Sequence, residues 1–216
     1  MPNYSGSWNL VQQMQAVAVQ NWTGNFPGTF AIFALGAAPS ASTTRNKYTY
    51  SGCVSASATA SSAASNAGSA AGNATVGIFA LGYSTAPSTT RNKYTYSGDT
   101  NASAAAASTA SFGGSAAGNS TVGIFALGYV SCTPSTTRDK YTYSGDVNAS
   151  GTAASAASSR GSAAGNSTVG IFALGNCTTT RNKYTYSGCV NASATASSAA
   201  SYLGSAASNG TCGVNV

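Results

Sequence analysis

The chain has 216 residues and a net charge of +6, yet only 6% of its residues are charged and none is His. An ordinary globular protein has about 25% charged residues, so small polar residues must cover most of this surface. The absence of His excludes the Ser–His–Asp and Cys–His arrangements of nucleophilic catalysis. The 12 Tyr, 7 Phe and 2 Trp residues indicate a folded chain, because disordered chains contain few aromatic residues.

Residues 1–27 precede the repeats and do not share their pattern. Within this segment Trp8, Leu10 and Met14 fall near helical spacing. We interpret the segment either as a cap, which repeat arrays need at their ends, or as a docking segment for a partner. It lacks a basic region followed by an apolar core, and the chain has no run of about 18 apolar residues. We therefore expect neither a secretory signal nor membrane insertion.

Residues 28–216 form a tandem repeat. The motif IFALG recurs four times, and its Phe residues are 46, 46 and 47 positions apart. A second motif, TTRNKYTYSG, follows each copy, with Asp139 replacing Asn in the third. A period of this length is typical of propellers and solenoids.

Each repeat carries signals for several strands. TVGIFALG is apolar on both alternating faces, which is typical of a strand buried on two sides. The Gly-Asn pair before it predicts a hairpin. In RNKYTY, we expect Arg, Lys and Thr on a wet face and Asn and both Tyr on a packed face. The Ala- and Ser-rich stretch that follows is predicted to hold the outer strand, a loop and the inner strand of the next repeat.

Four strands in about 46 residues correspond to one blade of a β-propeller. The order of residues 116–119, 124–128 and 141–143 resembles the kelch family. This resemblance implies an all-β fold, a small kelch-like propeller of about four blades. A C-terminal strand at residues 205–209 would complete the first unit and close the ring, which removes exposed sheet edges. A β-solenoid and an open stack of blades are the alternatives.

The opening of the chain suggests a biological context. Residues 4–6, Trp8, Leu10 and residues 13–15 are similar to the start of bacteriophage and prophage virion proteins. The resemblance implies a non-enzymatic structural component on the virion surface, such as a tail-fibre, baseplate or head-surface protein. It would act in assembly or host attachment. Its partners would be other virion proteins, further copies of the chain, or a glycan of the host surface.

The cations follow a regular pattern. Eight of the nine lie in Arg-x-Lys pairs within the second motif. In a ring they would form a circle that contacts an anion or a glycan, and the alternative is a solvated strand face that limits edge pairing. We do not expect nucleic acid as a partner. These candidate contact residues are Arg45, Lys47, Arg91, Lys93, Arg138, Lys140, Arg181 and Lys183.

No catalytic or cofactor motif stands out. Asp99 and Asp146 occupy equivalent positions after a TYSG turn, and we interpret them as turn residues rather than as a catalytic pair. The five Cys residues show no CxxC spacing, and we expect them to be buried free thiols without a metal. We therefore predict that the protein is not an enzyme and binds no cofactor.

Two further functions are open at this point. The loops at residues 83–88 and 129–135 vary between repeats, so they could form the sites of a carbohydrate-binding module at a cell surface. The chain could also be the subunit of a self-assembling extracellular filament.

Overall fold

A computed structural model describes residues 30–34, 36–37, 39–49, 54–208 and 213–215. Within these ranges all regular structure is β, so the prediction of an all-β chain is confirmed. In chain order the strands are β1 (Phe30–Ala34), β2 (Arg45–Thr49), β3 (Val54–Ala58), β4 (Ser69–Gly72), β5 (Val76–Ala80), β6 (Arg91–Thr95), β7 (Thr100–Ala104), β8 (Ser111–Phe112), β9 (Ser115–Gly118), β10 (Val122–Ala126), β11 (Tyr129–Val130), β12 (Thr133–Pro134), β13 (Arg138–Thr142), β14 (Val147–Gly151), β15 (Ser162–Gly165), β16 (Val169–Ala173), β17 (Arg181–Thr185), β18 (Val190–Ala194), β19 (Ala206–Ser208) and β20 (Gly213–Asn215).

Each repeat folds into one antiparallel sheet in which strands that follow one another along the chain are neighbours. Unit 1 contains β1–β3, unit 2 β4–β7, unit 3 β9, β10, β13 and β14, and unit 4 β15–β18. A small edge sheet of β8, β11 and β12 lies beside unit 3. The predicted split of the Ala-rich stretch into an outer strand, a loop and the next inner strand is confirmed, as β7 and β9 show.

The predicted Gly-Asn hairpin is confirmed, and the structure gives its cause. The Asn73 side-chain oxygen accepts hydrogen bonds from the backbone N–H groups of Thr75 and Val76, both at 2.9 Å. This Asx turn reverses the chain between β4 and β5. The Asn73 amide also donates to the carbonyl of Ser120 in unit 3 at 3.0 Å, so the turn contributes to the contact between units.

The units stack face to face in chain order, with β4 next to β9 and β9 next to β15. The hydrophobic cores lie between units rather than within them. Ile78 of unit 2, for example, packs with Phe125, Leu127 and Tyr141 of unit 3. We call the side of a sheet that meets the following unit its forward face, and the side that meets the preceding unit its rear face. Neighbouring strand residues alternate between these faces.

The expected wet face of the RNKYTY strand is wrong for its arginine, whereas Lys93 and Thr95 on the same face of β6 are half-buried. In β6, Arg91 on the forward face and Asn92 on the rear face are both buried, at 1% and 0% exposure. The sequence alternation identified two faces correctly, but a neighbouring unit covers each of them. Burial on both sides therefore extends from the VGIFA strand to the strand beside it.

Glycine permits the tyrosines to pack close to the inner hairpin. A Cβ atom added at Gly77 would lie 2.9 Å from the hydroxyl oxygen of Tyr96. Gly82, which ends the IFALG motif, has φ +76°, and a Cβ there would lie 2.5 Å from the carbonyl oxygen of Asn66. Only glycine can combine this positive φ with so close a backbone contact without strain.

The C-terminal strand β19 pairs with β20, not with β1. Ala206 lies opposite Asn215, in the same register as Ala70 opposite Phe79 in unit 2. Strand β20 thus occupies the edge of β19 that the expected closure onto unit 1 would use. Within the described residues β1 pairs with β2 alone, and closure of the ring stays a prediction.

Candidate functional site: the unit interfaces and the aromatic edge

An arginine holds units 1 and 2 together. Arg45, the first residue of β2, is 1% exposed. Its guanidinium carbon lies 4.5 Å from the ring centroid of Phe79 on the rear face of unit 2. Nη1 donates to the side-chain oxygen of Asn101 at 2.8 Å, and Nη2 donates to that of Asn92 at 3.2 Å. We call this arrangement of one Arg, one Phe and two side-chain acceptors an arginine clamp.

The clamp recurs between units 2 and 3 with a charged acceptor. Arg91 lies 4.6 Å from the Phe125 centroid and donates to Asn148 at 2.8 Å. Its Nη2 forms a salt bridge with Asp139 at 2.9 Å, and both side chains are fully buried. Such a pair must be well hydrogen-bonded to offset desolvation, and Asp139 also accepts from Asn148 and Ser108.

The third clamp joins units 3 and 4 and is neutral again. Arg138 lies 4.6 Å from the Phe172 centroid and donates to Asn191 at 2.8 Å and Asn182 at 3.1 Å. A stacked guanidinium with fixed acceptors combines cation–π attraction with directional hydrogen bonds. The same geometry at three interfaces indicates that the clamp is the repeated unit of stacking.

Burial lowers the pKa of these arginines. The pKa of Arg45 and that of Arg138 fall to about 10, because desolvation disfavours the charged form. Desolvation also lowers the pKa of Arg91, while the Asp139 carboxylate acts in the opposite direction. With a pKa of about 10, the guanidinium groups of Arg45 and Arg138 remain protonated at neutral pH.

A serine of each outer loop completes the clamp. The Ser62 backbone N–H donates to the Asn92 side-chain oxygen at 2.9 Å, and the Asn92 amide donates back to Ser62 Oγ at 2.8 Å. Ser155 and Asn182 repeat the exchange at 3.0 and 2.7 Å. One Asn side chain on the rear face therefore binds both an arginine and a loop of the preceding unit.

The candidate cation sites divide into two groups. Arg45, Arg91 and Arg138 are 1% exposed inside the interfaces, so the expectation that they contact an external glycan needs correction. Arg181 is half-buried. Among the lysines, Lys183 is exposed and Lys47, Lys93 and Lys140 are half-buried, so contact with an anion stays a prediction for them. The docking candidates Trp8, Leu10 and Met14 lie outside the described residues.

The turn aspartates have structural partners. Asp99 adopts φ 47° and accepts hydrogen bonds from the Tyr94 hydroxyl and, at 3.0 Å, from the Thr59 backbone of unit 1. Asp146 repeats this with Tyr141 and, at 2.9 Å, with Ala105 of unit 2. The two carboxylates thus serve turns in neighbouring units and link each turn to the unit before it.

The described cysteines are free but not buried. Cys132 and Cys177 are exposed and Cys189 is half-buried, so the expected burial is wrong for these three. Each has a positive φ, and such left-handed positions belong to surface turns. The Lys140 amine donates to the Cys189 sulfur at 3.2 Å across the interface of units 3 and 4. Cys53 and Cys212 lie outside the described residues.

A row of aromatic rings lies along one edge of the stack, where the variable loops meet. Tyr83 contacts Phe112 edge-on at 5.4 Å between centroids, and Phe112 stacks on Tyr129 at 5.0 Å. Arg160 then lies 5.4 Å from the Tyr129 centroid and 4.9 Å from that of Tyr202. We call these five side chains the aromatic edge.

Sequence reasoning identified the loops of Tyr83 and Tyr129 but missed the other members of the aromatic edge. Phe112, Arg160 and Tyr202 occupy the short segment before an inner strand, and that segment varies in every repeat. Arg160 is the one cation outside the Arg-x-Lys pairs, which was the available signal.

No group of His, Cys, Asp or Glu in the described part of the chain could hold a metal ion. That part also contains no helix long and apolar enough to cross a membrane. In comparisons with known proteins, no family model and no curated protein matches the chain.

Proposed function

We propose that the protein is a non-enzymatic structural component of a bacteriophage virion, in a tail fibre, baseplate or head surface, acting in assembly or host attachment. The observation that carries the structural role is the arginine clamp. Its repetition at three successive interfaces buries both faces of each inner sheet. An array built in this way is stiff, because each unit is fixed to its neighbours by packing and by directional bonds.

The charges of the chain agree with a structural role. The carboxylates of the three Asp residues accept hydrogen bonds within turns or a clamp, and three of the five arginines are buried between units. Few charged groups remain for chemistry at the surface. The virion assignment itself rests on the similarity of residues 4–6, Trp8, Leu10 and residues 13–15 to the opening of phage proteins.

For the finer architecture, the face-to-face sheets support either a kelch-like propeller or an open stack. We favour the open stack, because β20 occupies the edge of β19 that closure onto β1 would need. Electron cryomicroscopy of the purified protein separates the two. A closed ring of about four blades contradicts the open stack, and an arc or rod of sheets supports it.

The virion role is tested by mass spectrometry of density-purified phage particles from a culture whose phage genome encodes the chain. We expect the chain at a fixed ratio to the major capsid protein, and we expect it to stay bound through salt washing. Particles that lack the chain, or a gene that lies outside any phage genome, would contradict the proposal.

A second candidate function is carbohydrate binding, which the aromatic edge favours. Aromatic rings with an adjacent cation are suited to the apolar face and the polar rim of a sugar. Tyr83, Phe112 and Tyr129 are half-buried on short edge segments carried by a rigid scaffold. A glycan array with wild type and Tyr129→Ala tests this function, and Val190→Ala, which changes an exposed side chain on β18, is the control. Binding lost in the tyrosine variant alone supports it, and no binding by wild type contradicts it.

A further inference from the structure

A cysteine stands in unit 4 where units 2 and 3 carry an aspartate. Cys189 adopts φ 50°, close to the 47° of Asp99 and the 53° of Asp146 in the same turn. Each carboxylate accepts a hydrogen bond from a tyrosine hydroxyl of its own unit and from a backbone N–H of the preceding unit. This turn position therefore surrounds a negatively charged group with donors.

The backbone around Cys189 keeps this arrangement. The Thr152 hydroxyl of unit 3 donates to the Cys189 carbonyl. The equivalent Thr59 hydroxyl of unit 1 donates to the Asp99 carbonyl in the same way. The turn of unit 4 is thus bonded to the preceding unit as the turn of unit 2 is. The difference lies in the side chain, since a thiol has no oxygen that could accept from the surrounding donors.

One donor at the turn of unit 4 is left without an acceptor. The Tyr184 side chain is fully buried, and its hydroxyl has no hydrogen-bond partner among the described residues. The equivalent hydroxyls of Tyr94 and Tyr141 donate to the turn carboxylates of their own units. A buried polar group without a partner is destabilising, so the turn lacks an acceptor oxygen at the Cys189 side chain.

The Cys189 sulfur also lies beside a cation. The Lys140 amine of unit 3 donates to Sγ at 3.2 Å. The Tyr184 hydroxyl, which lies near the sulfur without a well-formed hydrogen bond, and the Lys140 ammonium lower the pKa of the Cys189 thiol. The thiolate is the reactive form of cysteine. Because Cys189 is half-buried between the exposed residues Gly188 and Val190, a small reagent can reach it.

We propose that Cys189 is a site of oxidative modification, at which a peroxide converts the thiol to a sulfinate that takes the place of the aspartate carboxylate. A sulfinate, –SO₂⁻, carries two oxygens and one negative charge on the atom attached to Cβ, as a carboxylate does. One oxygen accepts from the Tyr184 hydroxyl, and the charge pairs with the Lys140 ammonium. The modified residue is then the structural equivalent of Asp99 and Asp146.

The conversion consumes two molecules of peroxide. The thiolate sulfur attacks one peroxide oxygen, the O–O bond breaks, and the other oxygen leaves as hydroxide. The hydroxide takes the proton of the new S–OH group, which gives water and a sulfenate. The sulfenate sulfur attacks a second peroxide in the same way and becomes the sulfinate. In total, RS⁻ and two H₂O₂ give RSO₂⁻ and two H₂O, so the sulfur loses four electrons and each peroxide gains two.

The reactivity is tested by site-resolved mass spectrometry of the full chain after a series of hydrogen peroxide doses at neutral pH. Cys132 and Cys177 are exposed cysteines in other turns and serve as references within the same molecule. We expect Cys189 to gain two oxygen atoms at least about fivefold faster than either reference. Lys140→Gln should slow this reaction, whereas Lys93→Gln, which changes the equivalent lysine of unit 2, should not.

The melting temperature tests the structural consequence. Peroxide should raise the melting temperature of wild type by about 2–4 °C, because the sulfinate gives one buried hydroxyl an acceptor. Cys189→Asp should melt close to oxidised wild type without any treatment. Tyr184→Phe removes the unpartnered hydroxyl and should lose most of the gain on oxidation. Cys189→Ser treated with peroxide is the control, since it reports any shift that arises from oxidation elsewhere in the chain.

Three results would overturn the proposal: oxidation of Cys189 no faster than that of the two reference cysteines, oxidation that ends at a sulfenic acid or a disulfide, or a sulfinate form that melts no higher than the thiol form. A Cys189→Asp variant less stable than reduced wild type would also contradict it. The modification does not depend on the virion role proposed above, so this experiment and the particle assay can fail separately.

Discussion

The rear faces of units 1 and 2 have the same clamp residues and different surroundings. Phe79 lies under Arg45 and is 6% exposed, whereas Phe33 is 55% exposed. Both rings belong to a VGIFA-type strand and face an Asn on the neighbouring strand. The repeat therefore specifies a face that can bind another unit, and the presence of a neighbouring unit determines whether that face is buried. Stability in such arrays therefore depends on interfaces as much as on single units.

The largest expected effect comes from breaking a covered interface that contains charge. Arg91→Ala removes the guanidinium and leaves Asp139 buried without its partner. We expect unfolding by urea to require about 3–5 kcal/mol less free energy than in wild type. The double variant Arg91→Ala/Asp139→Asn should recover part of the loss, because it removes the stranded charge. A double variant no more stable than the single one would contradict this explanation.

Replacing Phe79 and Phe33 in turn tests whether the two equivalent rings differ in burial. Phe79→Ala opens a cavity under Arg45, so we expect a loss of about 3–5 kcal/mol in urea unfolding. Phe33→Ala changes an exposed side chain, and we expect a change in stability within about 0.5 kcal/mol. Equal losses in the two variants would show that Phe33 is covered within its own chain.

The aromatic edge is expected to contribute less than a clamp. Tyr129→Ala removes one stacked ring and one cation–π contact, for which we expect a loss of about 1–2 kcal/mol by urea unfolding. Thr136→Ala, which changes an exposed residue just after this segment, serves as the control and should change stability by less than about 0.5 kcal/mol. A loss as large as that of Phe79→Ala would mean that the edge, rather than the clamps, dominates stacking.

The smallest effect should come from giving all three clamps the same acceptor residue. Asp139→Asn gives the interface of units 2 and 3 the acceptor that Asn92 and Asn182 provide elsewhere. We expect stability to change by no more than about 1 kcal/mol, because the Coulomb attraction of a buried pair is largely offset by desolvation. A loss of several kcal/mol in thermal or urea unfolding would show that the ion pair is essential to that interface.

The strands were predictable because their patterns are local. The apolar residues on both faces of VGIFA and the Gly-Asn turn predicted the hairpin of β4 and β5, and the period predicted one sheet per repeat. The burial of Arg91 was not predictable, since strand alternation shows which residues share a face but not what covers that face. Its burial depends on Asp139 and Asn148, which are about fifty positions away.

The aromatic edge escaped prediction for a different physical reason. Phe112 and Arg160 stand at neighbouring rather than identical positions of the repeat, so no periodic signal connects them. Phe112 meets Tyr129 because β8 pairs with β11, whereas Arg160 reaches Tyr129 because unit 4 stacks on unit 3. Ring closure could not be predicted from the sequence either, because the repeats fit both a ring and an open stack.

The central claim is that successive units are held by arginine clamps, and a double-mutant cycle on Arg138 and Phe172 tests it most directly. Urea unfolding of wild type, Arg138→Met, Phe172→Leu and the double variant measures the coupling energy between the two side chains. Stacking at 4.6 Å in a buried site predicts a coupling of about 1 kcal/mol or more. Additive losses, with a coupling below about 0.3 kcal/mol, would contradict the clamp as the source of stacking.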